Sequence, residues 1–224
     1  TLIPDDIINE SAAWSKLCTI AQTGVRRAQL TMGDKVVVVG LGPLGQLLTQ
    51  YSRVMGAEDV LAIDTIESRL AVAAAHGATE TFAGSAADAI PFVQQYTEGR
   101  LADVVFDATG YYAVFPLALK LVRNFGTMML IGDSPYPGKQ VLTGDIVTRQ
   151  ISVRGTHNER LPDEREWPAM RQIGLLYKYL KRGQMRVDDL ITHRHAPQNA
   201  PQVYADLLKD RGDTIGVVFD WSLL

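Results

Sequence analysis

The stretch VVVVGLGPLGQ, residues 36–46, decides the fold. Four valines in a row belong in a strand, where β-branched side chains pack well. With no polar residue alternating among them, that strand is expected to be buried on both faces. Gly40, Gly42 and Gly45 then follow at G-x-G-x-x-G spacing, and glycines so close together weaken any regular element through backbone entropy. A strand ending in a bare turn that opens a helix accounts for both features. Gly40 permits the tight turn, Gly42 removes a side chain that would block a pyrophosphate, and Gly45 lets the helix sit close to the sheet. Pro43 and Leu44 are assigned to the same phosphate-binding turn. The helix N-terminus offers free N–H groups and partial positive charge to phosphates.

An acid stands at the expected distance. Asp64 lies 19 residues beyond Gly45, at the end of the next apolar run, VLAID (60–64). A carboxylate there accepts hydrogen bonds from the two adenosine ribose hydroxyls and repels a 2′-phosphate, so the expected coenzyme is NAD rather than NADP. The competing reading is a purely structural turn, with Asp64 capping the next helix. Arg69, five residues on, is read either as lying along the adenine or as a solvated helix residue.

Outward from this stretch, apolar runs alternate with helical patterns, as in successive parallel βαβ units. Strands are expected at 35–39, 60–64, 79–82 (TETF), 102–110 (ADVVFDATG), 126–132 (GTMMLIG) and 151–156 (ISVRGT). Helices are expected at about 45–55, over SRLAVAAAHG to Gly77, near 86–97 with Pro91 inside, and over VFPLALKLVRN. Thr109 and Gly110 end one strand, and Ile131 and Gly132 end another. Ligands of open α/β sheets bind at that carboxyl edge, so these four join the candidate cofactor residues; their alternative role is turn chemistry. After residue 158 come the charged LPDEREW, an amphipathic helix at 166–182, LITHRHAP, a helix over PQVYADLLKD, and a last apolar run, IGVVFDW. Trp167, Met170, Ile173, Leu176, Tyr177 and Leu180 form one stripe of the 166–182 helix, as core packing requires.

Composition sets the outer limits. The chain has 224 residues, 46% hydrophobic and 21% charged, with net charge −3. These values suit a globular protein and give no electrostatic reason to bind nucleic acid or an anionic membrane. Apolar runs are strand-length, the start is acidic rather than a secretory signal, and the lone Cys18 excludes an internal disulfide. A cytoplasmic protein is expected. The chain opens at Thr1 without methionine, which reads as a piece of a longer chain.

Taken together, ESAAW, TMGDKVVVVGLGPLGQLLTQYSRVMGAEDVLAID, RLAVAAAHGATET, DVVFDATG, GTMMLIG and DLITHR resemble the medium-chain dehydrogenase/reductase family, the zinc-type alcohol and polyol dehydrogenases. The resemblance covers nearly the whole chain and is densest over residues 30–132. It implies a Rossmann fold, that is, a doubly wound α/β parallel sheet, with a C-terminal segment of a catalytic domain. It also implies NAD-dependent hydride transfer between an alcohol or polyol and its carbonyl form, in a homo-oligomer of two or four copies. The corresponding division is 1–14 as a remnant of an N-terminal catalytic domain, 15–158 as the dinucleotide-binding domain, and 159–224 as the segment that packs on the catalytic domain in the family. Most family zinc ligands lie in that earlier domain, so zinc is expected only from residues outside this chain.

A further family metal ligand often follows an Ala-Ala pair, and matching Ala12-Ala13 places Lys16 there, a cation that repels Zn²⁺. Cys18 is two positions off. His76, His157, His193 and His195 show no ligand spacing, and His193 and His195 read as a turn pair. Tyr111 and Tyr112 read as helix N-terminal residues, one buried and one exposed, and Arg26 and Arg27 as solvated surface. No metal site and no catalytic residue are assigned. The alternatives are a zinc-free quinone- or enoyl-type reductase, which Asp64 argues against, and a non-catalytic dinucleotide-binding module.

Overall fold

The computed structural model describes residues 2–157 and 167–224. Two helices come first, α1 (Asn9–Ala13) and α2 (Ser15–Ala28), followed by β1 (Lys35–Val39), α3 (Pro43–Val54), β2 (Asp59–Asp64) and α4 (Glu67–Ala75). The chain continues through β3 (Glu80–Ala83), α5 (Ile90–Tyr96), β4 (Ala102–Asp107), α6 (Phe115–Ala118), β5 (Val122–Leu130), α7 (Asp145–Thr148) and β6 (Ser152–Gly155). Last come α8 (Ala169–Lys181), β7 (Ile191–His195), α9 (Ala200–Lys209) and β8 (Gly216–Phe219).

The six strands β1 to β6 form one sheet in the order β3-β2-β1-β4-β5-β6, and every pairing is parallel. This is the doubly wound α/β architecture, and the valine run explains it. Val36 and Val38 enter one core with α2, α3 and α8, whereas Val37 and Val39 enter the other with α5 and α6. All four are buried, so none of these four positions on β1 can be polar. Each such side chain contributes roughly 1.5–3 kcal/mol by leaving water.

The C-terminal strands β7 and β8 pair parallel as a separate two-stranded sheet. Leu190, Ile191 and Ile215 share the first core with Trp14, and a Cβ on Gly216 would sit 2.7 Å from the Trp14 ring. Both ends of the chain therefore pack on one face of the main sheet. Glu10 receives two hydrogen bonds from Arg194, at 2.9 and 2.8 Å, and Asp6 pairs with Lys181 at 2.7 Å. These are exposed contacts, worth little in stability. The boundary expected at 158/159, and LPDEREW up to residue 166, lie outside the described residues.

Several local expectations change. The helix expected at 86–97 begins only at Ile90, because Pro91 sits in its first turn, where a missing N–H costs nothing; Ser85 and Asp88 form a turn before it. In VFPLALKLVRN only Phe115–Ala118 is α-helical, and Val122 already pairs with Ala102 of β4, so VRN belongs to the sheet. The helix after the glycines starts at Pro43, two residues earlier than expected, with Gly42 as its N-cap. Arg26 and Arg27 are packed rather than solvated: Arg26 stacks 3.9 Å over Trp167, and Arg27 Nε donates to the Gly155 carbonyl at 3.0 Å. Met170 leaves the expected apolar stripe, being 50% exposed, while Gln172 is buried and accepts from Thr23 Oγ1 at 3.2 Å.

Candidate functional site

The chain leaves β1 toward β2 and β3 on one side, then returns through β4 on the other, so the loops beyond β1 and β4 diverge. A crevice at such a switch point is where doubly wound sheets bind ligands. Here it is a cleft of about 690 Å³. Gly40, Gly42, Pro43, Asp64, Arg69 and Thr109 line its sheet side, and Tyr204 and Leu208 from α9, Arg211 from the turn after it, and Val217 from β8 line the opposite side. The second wall was not foreseen, since nothing in a 3.6-residue period says which element a helix will face.

The glycines divide the work. Gly40 has φ +87°, and a Cβ there would come within 2.7 Å of Thr109 Cγ2. Such a backbone suits glycine alone. A Cβ on Gly45 would lie 1.9 Å from the Gly40 carbonyl oxygen, so the helix closes onto the turn itself rather than only onto the sheet. Gly42 differs: a Cβ would meet nothing within 4 Å, and the residue faces the cleft. No part of the fold requires glycine there by sterics. Leu44 packs on the core, so it can offer only main-chain atoms.

Asp64 is buried at the end of β2. Its Oδ2 accepts from Leu41 N–H at 2.6 Å and its Oδ1 from Ile66 N–H at 2.9 Å, so the carboxylate ties the glycine turn to the approach to α4. Each oxygen keeps a second lone-pair direction for a ligand. Arg69 Nη1 stands 3.9 Å from Asp64 Oδ2. Neither expected role of Arg69 describes it fully: it lines the cleft, but its Nη2 also donates to the carbonyls of Arg211 and Thr214, at 3.4 and 3.1 Å, fastening α4 to the segment after α9.

At the β4 and β5 ends, Thr109 lines the cleft, whereas Gly110, Ile131 and Gly132 stand behind it. Gly110 has φ +64°, and a Cβ on Gly132 would lie 2.2 Å from Gly110 N, so the two turns close on each other. The Ile131 side chain is buried against Gly24 of α2. Tyr111 and Tyr112 precede α6 rather than starting it, and Tyr111 lines the cleft.

Asp107 was missed by the sequence reading, although the D-x-T spacing could have signalled its turn. It is buried, and Oδ1 accepts from Thr109 N–H at 2.9 Å and from Thr109 Oγ1 at 2.6 Å. Burial pushes its carboxyl above the ordinary 3.8, against the pull of those two bonds. The native state therefore holds this proton more tightly than the unfolded chain, and the group's contribution to stability falls as pH rises above that value. Asp107→Asn keeps an acceptor for Thr109 but carries no charge. Urea titrations should find it more stable than the parent at neutral pH, with the gap closing as pH falls towards about 4. A gap that widened on acidification would reverse the assignment.

Among the described residues, no three His, Cys, Asp or Glu side chains are grouped to hold a metal ion, whereas catalytic zinc takes three protein ligands. Lys16, at the matched ligand place, is a cation. Cys18 is 1% exposed, and burial pushes its thiol up to about 12, which disfavours the thiolate that a metal requires. His193 and His195 are not a turn pair: they lie on β7 with rings stacked 6.2 Å apart, and they have no third ligand beside them. The described residues do not fit zinc.

The fold and cleft together define a Rossmann-type α/β domain. A family model for zinc-binding dehydrogenases matches residues 43–174, and the chain belongs to this medium-chain dehydrogenase/reductase family, matching the C-terminal part of its members. The zinc-type alcohol dehydrogenase-like protein YdjJ of Escherichia coli is 24% identical over 96% of this chain and 59% of its own length. L-Threonine 3-dehydrogenase of Bacillus licheniformis is 31% identical over 74% of this chain and 45% of its own length. The chain thus spans about half of the curated relatives it matches.

Among solved structures, an Escherichia coli oxidoreductase/dehydrogenase of unknown specificity superposes with TM-score 0.86 at 22% identity, covering 97% of this chain and 59% of that one. An alcohol dehydrogenase of Escherichia coli CFT073 complexed with NADH gives 0.80 at 22% identity over 99% and 62%. A zinc-binding dehydrogenase of Sinorhizobium meliloti bound to NADP gives 0.79 at 23% identity over 96% and 60%. At these identities the likeness concerns the fold.

Proposed function

We propose that this chain supplies the dinucleotide-binding half of an NAD-dependent oxidoreductase acting on an alcohol or polyol and its carbonyl form. One observation carries the reading: Gly42 caps α3 with its Cβ direction open to the cleft, beside the inward carboxylate of Asp64. Main-chain N–H groups at the start of α3 would take the diphosphate, and Asp64 the adenosine ribose. Gly40 and Gly45 hold the turn, and Thr109 with the turns at Gly110 and Gly132 forms the edge toward the nicotinamide. The coenzyme, when bound, supplies the hydride acceptor or donor, while the chain positions it and shields it from water.

The remainder of the proposal is a homo-oligomer of two or four copies in the cytoplasm, with residues 1–14 and 159–224 completing a catalytic domain. A zinc site in the whole protein would need ligands beyond the described residues. No helix among those residues is long and apolar enough to cross a membrane. A second reading, NADP in place of NAD, draws on Arg69 and Arg211 at the Asp64 end of the cleft. The test is titration of NADH fluorescence with the chain. Saturable enhancement is expected, and a flat response up to millimolar protein would sink the proposal.

A further inference from the structure

Beyond the strand ends, Tyr111 in the cleft wall belongs to a cluster of three tyrosines and a lysine. The ring of Tyr111, in the cleft wall, stands 4.9 Å from that of Tyr112, which meets Tyr136 edge to face at 6.3 Å. Lys139 Nζ lies 4.7 Å from the centre of the Tyr136 ring and 5.3 Å from that of Tyr112. Tyr111 and Tyr136 are 56% and 57% exposed.

Ring faces attract an ammonium through their quadrupole, so Lys139 is held in place without being neutralised. No carboxylate among the described residues pairs with it. Ring faces engage its N–H groups only weakly, so the ammonium can still donate to an anion. Exposed tyrosine rings pair an apolar face with a polar hydroxyl, which suits a carbon chain carrying many hydroxyls.

Position adds to this. With the ribose at Asp64 and the diphosphate at α3, the rest of a dinucleotide runs toward β4 and β5, where the tyrosines stand. This step rests on the coenzyme reading above. We propose that Tyr111, Tyr112, Tyr136 and Lys139 form a substrate subsite for a polyhydroxylated compound bearing an anionic group, phosphate or carboxylate. Lys139 is then a specificity-determining residue.

Sorbitol, sorbitol 6-phosphate and gluconate are titrated into the chain with and without NADH, following the tyrosine ring signals by NMR. Both anionic probes should shift Tyr112 and Tyr136 and bind at least about tenfold tighter than sorbitol, the scale of one charge-assisted hydrogen bond. The tighter anion identifies a phosphorylated or a carboxylated substrate. Lys139→Met should remove this advantage, Lys139→Arg should restore most of it, and NADH affinity should not change in either. Equal affinity for sorbitol and its phosphate, or an anion preference that survives Lys139→Met, would overturn the subsite. Anion binding through Lys139 without any NADH binding would instead overturn the coenzyme reading and leave the subsite standing.

Discussion

Gly42→Ala should fold as the parent does and lose most of its grip on NADH, while Gly45→Ala should lose stability. Helix propensity alone predicts the reverse for Gly45, since alanine inside a helix gains about 1 kcal/mol over glycine. The steric term decides otherwise. The new methyl group would lie 1.9 Å from the Gly40 carbonyl oxygen, a main-chain atom fixed by the turn. Relief requires moving the turn or the helix, at a cost of about 3 kcal/mol, the upper part of the range for overpacked sites.

At Gly42 the methyl group meets no protein atom, and the N-cap change costs under about 1 kcal/mol. On the proposed coenzyme reading, it occupies the space through which a diphosphate would approach the amides of α3. A loss of at least about tenfold in NADH affinity, or 1.4 kcal/mol, is the expected result. Urea midpoints and NADH fluorescence, measured on both variants, separate the two effects. If Gly42→Ala bound NADH like the parent, the phosphate would not sit at this turn.

Asp64→Asn should erase the preference for NADH over NADPH and weaken the turn as well. A 2′-phosphate about 4 Å from a carboxylate meets a repulsion of roughly 1–4 kcal/mol, depending on how much water intervenes. The parent should therefore favour NADH by tenfold or more, and the variant should bring the ratio near one. The amide cannot accept from both Leu41 N–H and Ile66 N–H, because one of its ends is a donor. Leaving one of these groups unpaired costs about 1–3 kcal/mol. Comparing the two coenzymes on one protein sample cancels that stability loss. A parent that binds NADPH as tightly as NADH would shift the assignment to Arg69 and Arg211.

What could be read from the chain alone follows from which interactions are local. The valine run, the glycine spacing and Asp64 are legible because a buried parallel strand and a strand-to-helix turn impose their residue types directly. The order of the strands and the crevice at β1 and β4 then follow from chain topology. Pro91 shows where such reading stops: it breaks a helix interior but suits a first turn, and only the fold determines which applies. Val122 is similar, since an apolar residue after a helical pattern joins the sheet only when Ala102 is there to pair with it. Arg26, Gln172 and Lys139 were not legible, as their partners lie far away in sequence or in rings with no charge signature.

The grip of Arg69 on the carbonyls of Arg211 and Thr214 reaches beyond local stability. It makes the trench a joint product of two distant parts of the polypeptide, one carrying the floor and the other the far bank. A gene fragment stopping after β6 would keep every glycine of the fingerprint and still present an open gutter. Occupancy of the trench and order in the tail are thereby thermodynamically linked, so anything that loosens the tail also weakens the hold on whatever lies beneath it.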